Sequence, residues 1–413
     1  MPDSFLPRGT PDSARRVSPR DSRAAHQGVL HLAPSLAASA SAREVVDLAV
    51  HVNRAGWRSV IASAGGPLVL EVERAAVRHR RLPLETRGFV RRFLNGARLR
   101  RLAKIEHFAL VHAHGWSLAA AGLRLARASS LPWILDIVEP FPVTARAQRL
   151  ARAVQGSQAL FRVPSVFLAD FLVRDVGIAA ERIRRVPPGV DLVTYNAPRV
   201  TPERLQKLTA LWRIPEQGSV ILVGAPMEPG QGHETLLEAV KALGRADVFV
   251  VIVGGDSSTS PALKVRLERL VAANAMQGQV VMPDQCPDWP AALWLASVVV
   301  SVGEAPRGQT PEILAAQALG RPVIVSRSGA RPEMVREGMT AWVVPPDDRS
   351  ALEAALTEAV QTTAEQRISL AHLTRAFVSE TFPLDTWCQR MMTLYAERVS
   401  RPSDVTCPGE ARS

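Results

Sequence analysis

Cysteine is scarce: only Cys286, Cys388 and Cys407 occur in 413 residues, and no pair has the spacing of metal ligands or a redox couple. The three thiols are therefore expected to be buried or incidental, with no metal site and no cofactor. No apolar run approaches the roughly 18 residues that would cross a bilayer as a helix. The first 28 residues, MPDSFLPRGTPDSARRVSPRDSRAAHQG, contain no apolar core of a secretory signal, which predicts a disordered leader (1–28) and a cytoplasmic protein. There is no Walker loop, and no G-x-G-x-x-G follows the first apolar run, so nucleoside triphosphatase and dinucleotide-dependent dehydrogenase chemistry have no motif.

Acidic residues are also in deficit, with 39 Asp and Glu against 50 Lys and Arg, a net charge of +11. The excess is concentrated between Glu71 and Lys104, where Arg74, Arg78, Arg80, Arg81, Arg87, Arg91, Arg92, Arg98, Arg100, Arg101 and Lys104 face only Glu71, Glu73 and Glu85. Phe89, Val90, Phe93, Leu94 and Leu99 are interleaved with them. This pattern predicts either a solvated helix face or a basic amphipathic helix at an anionic membrane, the latter placing the protein peripherally at the inner face. Nucleic acid is not expected as a partner, because no zinc-finger, RRM, KH or homeodomain signature accompanies the charge.

What the sequence does contain is a series of short apolar runs: GVLHLAP, RSVIASA, FALVHAH, PWILDIV and ALFRVPS, then SVILVGA, VFVVIVG, GQVVMP, SVVVSVG, RPVIVS and AWVVPP. Near-continuous apolar strands alternating with helices predict parallel sheets covered on both faces. The series is interrupted after PPGVDLVTYNAP by the polar stretch VTPERLQKLTALWRIPEQG. Two doubly wound α/β domains follow, 29–198 and 199–385, facing a central cleft, then a crossover helix at 386–400 and a tail at 401–413.

The stretches GHETLLEAVKAL, VFVVIVGGD, AAQALGRPVIVS and GMTAWVVPPDD resemble the family 4 glycosyltransferases, and SVIASAGGPLVLEVE, FALVHAHG, SVFLADFLV and ERIRRVPPGVDL resemble their first half. The resemblance implies the GT-B fold, an acceptor-type domain followed by a nucleotide-sugar-type domain. It also implies a metal-independent retaining transfer of a sugar from a nucleotide-sugar donor to a glycan or lipid acceptor. In the family an Arg and a Lys after the first strand of the second domain neutralise the diphosphate, helix N-terminal amides add donors, and two glutamates seven residues apart hold sugar and ribose.

Carried over residue by residue, the pattern places Gln231 at the lysine, followed by Gly232, and Pro226 at the arginine. Arg307 takes the place of the first glutamate and Ala315 that of the second. Glu304 and Glu312 are near the right spacing but in the wrong register. Thr310-Pro311 reads as N-cap and first helical residue, which makes Glu312 a carboxylate complementing the helix dipole. Ser39 and Ala40 stand where paired glycines are expected, and Val138 where a cleft histidine is expected. His112 and His114 close a strand near the cleft, leaving His114 and Glu304 as candidate catalytic groups. Hydrogen bonds to charged groups contribute about 1.5–3 kcal/mol each, so two missing cations would weaken donor binding by about two to four powers of ten. Two functions remain open: a noncatalytic or impaired pseudo-glycosyltransferase, and an active retaining enzyme of cell-surface glycan synthesis in which Arg307 or Arg331 supplies the lost charge.

Overall fold

The structure, a computed structural model, describes residues 27–37, 39–85, 89–215, 218–254 and 260–400, with backbone only for 89–92. Its first sheet comprises β1 (Gly28–Leu32), β2 (Arg58–Ser63), β3 (Arg78–Arg81), β4 (Leu110–His114), β5 (Trp133–Asp136), β6 (Leu160–Val163) and β7 (Ile183–Arg185), in the order β3-β2-β1-β4-β5-β6-β7. The second comprises β8 (Ser219–Val223), β9 (Val248–Ile252), β10 (Val280–Val281), β11 (Val298–Ser301), β12 (Val323–Ser326) and β13 (Ala341–Val344), in the order β10-β9-β8-β11-β12-β13. Every pairing is parallel. In each sheet the winding reverses between the first and fourth strands, β1/β4 and β8/β11, and ligands of open α/β sheets bind at such reversals.

The interior strands are apolar because both of their faces are covered; VFVVI of β9, for example, is buried along its whole length. The edges of the first sheet are different. RHRR of β3 and IRR of β7 form strands with one partner each, and charged side chains on an edge discourage further pairing. The stretch Arg74–Lys104, expected as one basic helix, is therefore corrected: Arg74 ends a short helix (Val69–Arg74), Arg78–Arg81 form β3, and a separate helix begins at Phe89.

Six helices position the sites. In α1 (Ala40–Arg54), Ser39 caps the first turn by accepting from Ala42 N, and Val45, Leu48, Ala49 and Val52 face the core. Residues Phe89–Glu106 form α2, with Leu99 and Ala103 buried and Phe93 and Ile105 each 63% exposed. The short α3 (Val166–Phe171) follows β6, α4 (His233–Leu243) follows β8, and α5 (Pro311–Ala318) follows β11. The last, α6 (Leu384–Ser400), returns to the first sheet, where Trp387, Cys388, Met391, Leu394 and Tyr395 pack on Val29, Leu110, Ile134 and Leu160.

The two halves touch through the loop that enters α5. Gly308 donates its N–H to Glu139 Oε2 at 2.7 Å, and its carbonyl accepts from Ser165 Oγ at 2.9 Å. A Cβ at this position would lie 2.2 Å from Val138 O, so only glycine lets the loop come this close. Glu333 of the second half accepts from the N–H groups of Val166 and Phe167 at 2.8 and 2.9 Å, satisfying the first turn of α3.

Candidate functional site

At the β8/β11 reversal, two loops lie directly on each other. Gly303 (φ +133°) passes so close to Gly230 that a Cβ would meet Gly230 O at 2.4 Å, and one on Gly232 (φ +74°) would meet Val302 O at 2.7 Å. Ala305 N donates to Gly230 O at 2.9 Å. Between Gly232, Thr235, Gly303 and Asp347 remains a recess of about 10 Å³, the room of a single water.

Beside these loops runs a buried polar chain. Arg331, fully buried, donates from Nη2 to Gln231 Oε1 at 2.8 Å and from Nη1 to Ala305 O at 3.0 Å, and its Nε lies 3.4 Å from Ser301 Oγ. Ser301 donates to Glu312 Oε1 at 3.2 Å, and the same oxygen accepts from Arg307 Nη1 at 2.6 Å. Arg307 Nε then lies 3.8 Å from Glu139 Oε1 of the first domain. Two guanidinium groups and two carboxyl groups thus meet as one set, in which burial raises the Glu139 carboxyl to about 7 despite the nearby Arg307. Burial works against the charge of Arg307, but Glu312 and Glu139 outweigh it and its pKa ends raised. For Arg331, burial and then the nearby Arg307 dominate, and the pKa falls to about 10, still charged at neutral pH.

Several expectations are revised here. Arg307, placed at the first-glutamate position and a candidate to supply the lost charge, is 9% exposed and pairs with Glu312. Glu304 is exposed, and only its carbonyl is engaged, accepting from Ser328 Oγ. Thr310 occupies the N-cap and Pro311 the first turn, but the buried hydroxyl of Thr310 makes no capping bond among the described residues. Glu312 lies in that first turn, yet its carboxylate is committed to Ser301 and Arg307. Ala315 is 2% exposed inside the second domain's core, so a glutamate there would be buried. Ser39 serves as the α1 cap, and the backbone of Val138 forms the floor under Gly308.

A second polar cluster occupies the β1/β4 reversal of the first sheet. The register pairs His31 with His112, His114 with Asp136, and Asp136 with Arg162, so these side chains share the face covered by α1 and α6. Asp136 bridges two imidazoles, His112 Nε2 at 2.8 Å and His114 Nδ1 at 3.2 Å. His112 Nδ1 lies 2.6 Å from the Tyr395 hydroxyl, and His114 Nε2 lies 3.1 Å from His31 Nδ1. His114 therefore has both ring nitrogens engaged. Burial raises the cost of charge on Asp136, yet His112 and Arg162 hold its carboxyl well below the usual range. Arg162 reaches Glu44 of α1 at 3.0 Å, and Gln309 of the second domain donates to the same carboxylate at 3.3 Å, linking this cluster to the cleft. His31 was not singled out in the sequence. Its signal was a lone polar residue inside the buried run GVLHL.

The basic stretch divides in the same way. Glu106 takes both terminal nitrogens of Arg78, at 2.9 and 2.8 Å, with Arg58 and Arg80 nearby. Arg100, Arg101 and Lys104 line a cavity of about 750 Å³ against Phe108 and Leu131. Arg87 and the side chains of Arg91 and Arg92 lie outside the described residues, and none of the described helices is long and apolar enough to cross a membrane.

Known proteins agree with this architecture. Residues 41–194 match the family model described as Glycosyltransferase Family 4, and residues 217–362 match the one described as Glycosyl transferases group 1. Among curated relatives, the D-inositol 3-phosphate glycosyltransferase of Thermobifida fusca is 26% identical over 288 residues, 62% of this chain and 64% of that protein. The one from Acidothermus cellulolyticus is 25% identical over 60% of this chain and 58% of its own length. The match thus spans less than two thirds of these relatives. Among solved structures, a glycosyltransferase from Rickettsia africae superposes with a TM-score of 0.80 at 20% identity, over 91% of this chain and 99% of that one. Anabaena HepE, solved with UDP and glucose, superposes with a TM-score of 0.78 at 17% identity, over 90% of this chain and all of that one. With consecutive family matches along the chain and two parallel sheets in this order, the protein belongs to the family 4 glycosyltransferases and has the GT-B fold.

Proposed function

We propose that this glycosyltransferase homologue is impaired toward ordinary nucleotide sugars, a pseudo-glycosyltransferase that keeps the fold and acts chiefly by binding. The observation carrying this proposal is the carboxyl groups packed around Arg307. Its guanidinium, beside the N-terminus of α5, is held by Glu312 at 2.6 Å and faces Glu139, so a diphosphate would have to displace two carboxylates to reach it. Gln231 offers an amide, already bonded to Arg331. The relatives' inositol phosphate and the neighbours' UDP and UDP-glucose are properties of those proteins; for this chain they name the donor and acceptor classes to test, alongside glycans and lipids.

The test moves the cation. In Gln231→Lys combined with Arg331→Leu, a lysine replaces the amide while the competing guanidinium is removed. Affinity for a UDP-sugar, measured calorimetrically, is expected to rise at least tenfold, and no gain in a well-folded double variant would count against the proposal. The second function, an active retaining transferase with a rebuilt pocket, is favoured by Arg331 itself. Among the described residues no carboxylate lies within ion-pair distance of it. Turnover of any nucleotide sugar by the parent, lost in Arg331→Gln, would establish that function instead.

The exposed Phe93 and Ile105 beside Arg98, Arg100, Arg101 and Lys104 support peripheral docking of α2 on an anionic bilayer. Each cation near such a surface contributes about 1 kcal/mol. Replacing Arg100, Arg101 and Lys104 with Gln is expected to release the protein from phosphatidylserine-containing vesicles at low salt, and equal sedimentation of variant and parent would contradict docking.

A further inference from the structure

We propose that His31, His112 and His114 form a binding site for one borderline transition-metal cation, of the Zn²⁺ or Co²⁺ class, at the β1/β4 reversal. One ring nitrogen from each of the three lies within 4.8 Å of the others, on three positions that the sheet register fixes. The tautomers follow from Asp136, which can only accept. His114 presents Nδ1–H to it, leaving the Nε2 lone pair directed at His31. His31 then donates from Nδ1 and keeps a bare Nε2, a buried atom with no partner among the described residues.

Replacing that shared proton with a cation needs little movement. Two imidazole nitrogens on a tetrahedral Zn²⁺ stand about 3.3 Å apart, and His31 Nδ1 and His114 Nε2 are separated by 3.1 Å. On coordination the His31 proton moves from Nδ1 to the bare Nε2, so no proton is left over. His112, held at Nε2 by Asp136 and at Nδ1 by the Tyr395 hydroxyl, completes the set by a ring rotation that releases both, and Asp136 becomes the outer carboxylate that orients His114. An all-nitrogen donor set favours Zn²⁺, Co²⁺, Ni²⁺ or Cu²⁺ over Mg²⁺ and Ca²⁺. None of the three is held by sequence proximity alone: His31 lies on β1 and the other two on β4.

The full-length protein, stripped with EDTA, is titrated with Co²⁺ and followed by visible absorption, then with Zn²⁺ by calorimetry. One equivalent per chain is expected, with the intense d–d bands of four-coordinate cobalt, displaced by Zn²⁺ but not by Mg²⁺. His31→Gln and His114→Gln are each expected to weaken binding at least 100-fold, whereas His51→Gln, at a half-buried position near the C-terminal end of α1, leaves it unchanged. Only the weak spectrum of six-coordinate cobalt in the parent, or undiminished binding in folded His31→Gln and His114→Gln, would overturn the assignment. The parent spectrum decides the matter even if both variants fail to fold.

Discussion

Replacing Glu312 with Ala is expected to lower the unfolding free energy by about 3–5 kcal/mol, the range for removing one partner of a buried ion pair. Glu312 is 4% exposed, and its carboxylate is the common acceptor for Ser301 and Arg307. Without it, the Arg307 guanidinium keeps only Glu139, at 3.8 Å and with its carboxyl raised to about 7 by burial, and the set is left with an uncompensated positive charge beside Arg331. If Arg307 were a solvated surface residue, the loss would stay within about 1 kcal/mol. Urea denaturation separates the two outcomes. The double variant Arg307→Leu/Glu312→Leu should recover most of the loss, because apolar groups replacing a whole buried pair are often neutral or better.

Arg162→Met is expected to cost a similar amount, about 3–5 kcal/mol, at a different place. Arg162 is fully buried, donates to Glu44 and to Val186 O, approaches Asp136 at 3.7 Å, and lies over the Trp387 ring at 5.6 Å. Methionine keeps much of the volume but leaves Asp136 with imidazoles alone and Glu44 with Gln309. Because Trp387 belongs to α6, the docking of that helix should weaken too. Faster hydrogen exchange over 384–400, beyond what the global destabilisation explains, is the expected signature. Unchanged exchange there, with stability within 1 kcal/mol of the parent, would contradict the role given to Arg162.

The interior of both sheets was legible because a covered parallel strand must be apolar on both faces, as in VFVVI and SVILV. The edges of the first sheet were not legible, because RHRR and IRR have one partner each and carry little apolar signal. The family resemblance also marked Arg307, Glu312 and Gln231 as donor-binding positions. Their pairing was hidden for a physical reason: Arg331 reaches Gln231 across 100 positions, and Glu139 reaches Arg307 from the other domain. The histidine cluster was half visible. His112 and His114 alternate within one strand, so they share a face by geometry, whereas His31 joins them only through the β1–β4 register. A usable signal was present in hindsight: GVLHL, LVHAH, WILD and LFRV each carry a polar side chain within a buried strand.

The most direct measurement for the donor site is titration calorimetry of the unmodified protein with UDP-, GDP- and ADP-sugars at millimolar concentrations. With Arg307 neutralised by Glu312 and Gln231 bonded to Arg331, binding no tighter than the millimolar range is expected for every member of the panel. Micromolar binding of any one of them, accompanied by transfer of its sugar, would contradict the account.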